Sequence, residues 1–164
     1  MKYLGLICCF VGLVSCGTKQ ENTTENAAPP AALNYTDVSE FTTFSASVDS
    51  VLVHWPSFKA LDERVAAIKE VVSLPDLKLL VNELLEKEEM ITKEGYPTSF
   101  NEASIKSRQR LVKTYLLKIK SAIELGQDPK PTVEEFIVAF NALKDHMNLI
   151  KSPTMNLETL TDDF

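Results

Sequence analysis

From residue 35 to residue 151 apolar side chains recur every three or four positions, with polar residues filling the gaps, which is the period of an amphipathic helix. Four segments carry it. The first spans about residues 37–72, with Phe41, Phe44, Val48, Val51, Leu52, Trp55, Phe58, Val65, Ile68 and Val72 on one stripe, and Asp37 with Glu40 at capping-box spacing. Pro56 interrupts it by removing a backbone donor and crowding the preceding turn, so a kink or break is predicted near residues 54–57, giving one bent helix or two short ones. The half before the proline, FTTFSASVDSV, is rich in serine and threonine and has weak intrinsic helicity. The second segment opens with Ser73 as N-cap and Pro75 in its first turn, carries Leu77, Leu80, Val81, Leu84, Leu85 and Ile91, and stops at Gly95. Ser99 and Glu102, again at capping-box spacing, open the third, which carries Ile105, Val112, Leu116, Ile119 and Ile123 and stops at Gly126. The fourth begins near Pro131 and Thr132, carries Val133, Phe136, Ile137, Phe140, Leu143, Met147 and Ile150, and ends before Pro153.

Short connections containing Gly or Pro make neighbouring helices antiparallel. The predicted fold is therefore all-α: an up-down bundle of about four helices over residues 35–151, with the first helix kinked or broken near Pro56. Residues 152–164 are acidic and weakly patterned and are expected to be mostly disordered. Residues 16–34 are polar, rich in Asn, Thr, Ala and Pro, and lack apolar periodicity. They read as a flexible tether, whose eighteen residues after Cys16 reach roughly 25 Å as a coil.

The start of the chain has a different grammar. Lys2 precedes an apolar run over residues 3–14, shorter than the roughly 20 residues a membrane span needs, and the order of basic, apolar and small residues is that of a secretory signal. At its end stand Leu13, Val14, Ser15 and Cys16. This stretch closely resembles the lipobox of bacterial lipoproteins. The resemblance implies a signal peptide over residues 1–15, cleavage before Cys16, a diacylglycerol on the Cys16 sulfur and, usually, acylation of the new amino terminus. It also implies a lipid-anchored protein of the cell envelope. Cys8 and Cys9 lack the small preceding residue that the motif requires. In proteobacterial lipoproteins an aspartate after the lipidated cysteine retains the protein at the inner membrane; Gly17 stands there, which favours the outer membrane, facing the periplasm or the cell surface. The Asn- and Thr-rich tether and small bundle resemble helical lipoproteins of Bacteroidota.

All three cysteines fall within the first sixteen residues, which removes disulfides, thiolate zinc sites and cysteine nucleophiles from the body. The net charge is −6, and −7 once Lys2 leaves with the signal, which argues against nucleic acid as a partner. His54 and His146 have no helical ligand partner three or four residues away, so neither a metal site nor a cofactor is expected. No nucleophile elbow or phosphate-cradling glycine loop occurs, and no enzymatic activity is expected.

Two constellations stand out. Asp62 falls on the apolar stripe of Trp55 and Phe58; it either pairs with Arg64 or with a lysine of another helix, or lines a polar pocket beneath the proline break. The aromatic residues themselves read as core, or as the lining of a groove for a hydrophobic ligand or peptide. On the third segment Lys106, Arg110, Lys113 and Lys120 share one face, opposite a glutamate-rich second segment. They are either complementary charge across a helical hairpin or a stripe facing lipid headgroups, glycans or an acidic partner. The expected role is a non-catalytic binding or assembly module, held to the membrane by its acyl chains and contacting an envelope protein or glycan. The alternative is a binding protein for a small hydrophobic ligand or peptide near Trp55 and Pro56.

Overall fold

A computed structural model describes residues 33–152. Cys16, the signal segment, most of the tether and the tail beyond Ser152 lie outside the described residues. Leu33 and Asn34 are the part of the tether within them: Leu33 packs against the core and its N–H donates to the Val72 carbonyl at 3.1 Å.

The fold is all-α, with five α-helices among the described residues rather than about four: α1 (Ala46–Leu52), α2 (Pro56–Val65), α3 (Leu74–Glu94), α4 (Ala103–Glu124) and α5 (Lys130–Lys151). The extra helix comes from the break at the proline. Leu52 ends α1, Trp55 leaves helical geometry at φ −131° and ψ 68°, and Pro56 takes the first position of α2, where its missing N–H and fixed φ cost nothing. A 3₁₀ stretch, Ala66–Glu70, continues α2.

Antiparallel order is visible in the cross-helix pairs. Ser57 meets Glu94 and Arg64 meets Glu83, so α2 and α3 run in opposite directions. Lys118 approaches Glu135 near the start of α5, whereas Arg108 shares a surface hollow with His146 near its end, so α4 and α5 also oppose each other. Asp62 to Lys144 joins α2 to α5 and closes the ring.

Ser73 caps α3 by accepting from the Asp76 N–H, and Gly95 ends it at φ +89°, where a side chain would be strained. Gly126, at φ +66°, follows the end of α4. Two expected helix starts are displaced. No helix begins at Asp37, which instead pairs with Lys130, while Glu40 pairs with Lys69. Residues 39–44 run without helix, and α1 starts only after Ser45, whose hydroxyl caps Val48. Nor do Ser99 and Glu102 form a capping box: Thr98–Phe100 is a 3₁₀ turn that drives Phe100 into the core, and α4 starts after Glu102, which makes no side-chain cap.

Two asparagines explain why residues 39–44 need no helix. Asn141 accepts from the Thr42 N–H and donates to the Glu40 carbonyl; Asn148 accepts from the Ser45 N–H and donates to the Thr43 carbonyl, all at 2.8–2.9 Å. Seven residues of α5 rise about 10.5 Å, and the three steps from Thr42 to Ser45 span about 10 Å when extended, so the two amides match the backbone groups they serve. A serine- and threonine-rich stretch with poor helicity thus becomes a strap laid along α5.

The core beneath it is aromatic. Trp55 stacks on Phe58 at 4.7 Å between centroids, Phe58 faces Phe140 at 6.5 Å, and Phe140 faces Phe136 at 6.0 Å. Trp55 Nε1 donates to the Gly95 carbonyl at 3.0 Å, so the indole is buried with its polar atom satisfied.

Candidate functional site

The proline break places Asp62 two turns into α2, facing α5, where Lys144 falls on the buried stripe between Phe140 and Met147. Asp62 Oδ1 accepts from Lys144 Nζ at 2.6 Å. The lysine is only 5% exposed, and its ammonium also lies 4.2 Å from the Phe44 centroid and 5.7 Å from that of Phe140. Ring faces attract a desolvated cation, so one carboxylate and two rings together compensate the buried charge. The partner of Asp62 is therefore a lysine from another helix, while Arg64 turns the other way to meet Glu83 at 2.6 Å. The pair also borders a cleft of about 410 Å³ lined by Phe41, Thr43, Phe44, Asp49, Asp62 and Lys144, so Asp62 is both paired and at a cavity wall.

Trp55 and Phe58, 1% and 0% exposed, line neither this cleft nor a second groove. That groove, about 650 Å³, lies between the start of α2 and the end of α3. It is lined by Pro56, Ser57, Ala60, Lys87, Met90, Lys93 and Glu94. Its walls are mostly apolar, with charges at the rim. Glu94 Oε2 accepts from the Ser57 N–H at 3.1 Å, placing a carboxylate at the positive end of α2. Ser57 is 7% exposed, and its hydroxyl oxygen is buried with no hydrogen-bond partner among the described residues.

The basic stripe of α4 is only partly free. Lys113 Nζ lies 2.8 Å from Glu88 Oε2 across the α3–α4 hairpin, and Lys106 sits over the Tyr96 ring at 5.2 Å. Arg110 is exposed and Lys120 half-buried, and neither forms an ion pair among the described residues. Glu88 is a polar core residue absent from the expected stripes. It is 3% exposed, accepts from Gln109 Nε2 at 3.4 Å, and meets Lys113 at ion-pair distance without hydrogen-bond alignment, while Gln109 Oε1 has no partner among the described residues. Burial, and secondarily the Glu88 charge, push the Tyr96 hydroxyl above its ordinary pKa.

Glu88, Gln109 and Lys144 were legible in principle. Each occupies a stripe position, between Leu84 and Ile91, between Ile105 and Val112, and between Phe140 and Met147, where the period demands burial and the residue is polar. His54 is exposed; His146 is half-buried with Nε2 unpaired among the described residues, beside Arg108 and Asp145 in a shallow hollow. Among the described residues no three His, Cys, Asp or Glu side chains gather closely enough to hold a metal ion. No family model, curated protein or solved structure matches the chain.

Proposed function

We propose that the chain is a lipid-anchored envelope lipoprotein whose helical domain acts as a non-catalytic binding or assembly module. The observation that carries this reading is the Leu13-Val14-Ser15-Cys16 stretch at the end of a short apolar run. Acyl chains on Cys16 hold the protein at a bilayer, since each buried methylene contributes about 0.8 kcal/mol and two or more chains anchor stably. None of the described helices is long and apolar enough to cross a membrane, so the anchor falls to those chains in this reading. Gly17 after the cysteine favours the outer membrane. The partner is an envelope protein or glycan, and Arg110 and Lys120 are the stripe cations left to meet it.

Mass spectrometry of the purified product tests the anchor: the expected amino-terminal peptide begins at Cys16 and carries the mass of its acyl groups. In Cys16→Ser the acyl mass should be absent and the signal should remain uncleaved. A product starting at Met1, or an unmodified thiol at Cys16, refutes the reading. Cross-linking in intact cells then identifies the partner.

The groove at Pro56 and Met90 favours a second reading, a binding protein for a small hydrophobic ligand. At about 650 Å³ it falls within the roughly 300–1,000 Å³ of small-molecule sites, with apolar walls and few polar groups. A ligand that prefers the native state must raise the melting temperature, so a thermal shift on adding lipids or peptides tests it.

A further inference from the structure

We infer that the groove between α2 and α3 binds a single-chain amphiphile with an anionic head group, a fatty carboxylate being the simplest, with the head at the N-terminus of α2. This rests on the hydrophobic-ligand reading above and adds the chemistry of the ligand.

Three observations converge. Pro56, Ala60 and Met90 make the apolar floor, and Met90 is 57% exposed although it faces into the groove, as an uncovered binding surface would be. Pro56 has no N–H, so Ser57 carries the first one of α2, and that N–H already holds a carboxylate, that of Glu94, at the same groove. Ser57, which lines the groove and is 7% exposed, adds a hydroxyl without a partner among the described residues.

Glu94 thus marks where a ligand carboxylate would sit. Its side chain is exposed and held there by that single hydrogen bond among those described, so it is readily displaced, and its departure frees the Ser57 N–H. Lys87 and Lys93 flank the groove; Lys93 shares an exposed pair with Glu89 at 3.0 Å, a contact too solvated to hold it against a ligand. Two cations and a helix N-terminus against one displaceable carboxylate select an anionic head over a neutral or cationic one. The apolar floor then takes the chain, each buried methylene strengthening binding about fourfold.

Calorimetric titration of the mature chain, residues 16–164, carrying Cys16→Ser, which has neither the apolar signal nor an acyl group to compete, tests this with laurate, dodecanol and dodecyltrimethylammonium below their micelle concentrations. Laurate should bind at least about tenfold more tightly than either of the others, as expected for a charge-assisted hydrogen bond. Ser57→Ala, which leaves no buried group unpaired and so preserves the fold, should remove most of that preference. Glu94→Gln should tighten laurate and leave dodecanol unchanged. Met90→Glu, at an exposed position, should weaken both. If laurate and dodecanol bind equally and Met90→Glu weakens both, the head-group assignment fails while the hydrophobic groove stands. If none of the three binds, or Met90→Glu has no effect, the groove reading fails with it.

Discussion

Removing the Asp62 carboxylate is the sharpest test of how the bundle closes. In Asp62→Ala the Lys144 ammonium stays buried with only the Phe44 and Phe140 faces to compensate it. Breaking a buried ion pair from one side costs about 3–5 kcal/mol. Asp62 is a quarter exposed and borders an open cleft, so water can reach the stranded ammonium, and the expected loss is about 2–3 kcal/mol, or about 5–10 °C in Tm. The reverse change is milder: in Lys144→Met the remaining carboxylate hydrates through the cleft while the apolar side chain keeps its contacts with Phe44 and Phe140, for a loss of about 1 kcal/mol. The double variant should lie about 1 kcal/mol below the parent, giving a coupling energy of about 2–3 kcal/mol. Urea unfolding followed by far-UV circular dichroism and by the fluorescence of Trp55, the only tryptophan, reads all four proteins, provided the slope of the transition is unchanged. A coupling below about 0.5 kcal/mol would mean that the pair behaves as a solvated surface contact, and the electrostatic account of the α2–α5 closure would be wrong.

Asn141→Ala and Asn148→Ala should each destabilise by about 1–2 kcal/mol, since each strips two hydrogen bonds from the strap, and hydrogen exchange should accelerate at the Thr42 amide in the first and the Ser45 amide in the second; unchanged protection would refute the pinning. Burial, with the Asp128 charge adding to it, raises the Tyr35 hydroxyl from its ordinary 10.0 to about 12, so the fold favours the protonated form. That contribution is complete below pH 10 and is lost as pH rises from 10 towards 12. Equilibrium unfolding should show stability falling in this window, with the fall reduced in Tyr35→Phe. Ser73→Ala should cost about 1 kcal/mol by uncapping α3, measurable as a lower urea midpoint.

The sequence alone determined the helices that rest on local rules. A 3.6-residue period, a serine cap at Ser73, and glycines at 95 and 126 define α3 and the ends of α3 and α4 without reference to the rest of the chain, because caps and positive-φ stops are satisfied within one or two turns. Pro56 likewise announced the break, since a ring without an N–H disrupts any helix interior. Tertiary structure decided everything that depended on a partner far along the chain. The strap at residues 39–44 looked like weak helix, and Asn141 and Asn148, about a hundred residues away, supply the backbone bonds that let it do without helix. Ser99 and Glu102 had the spacing of a cap, but burying Phe100 outweighed it. Asp62 stood on an apolar stripe for a reason no local pattern contains: its counter-charge, Lys144, comes from α5, and a buried charge is tolerable only where packing brings its partner within reach.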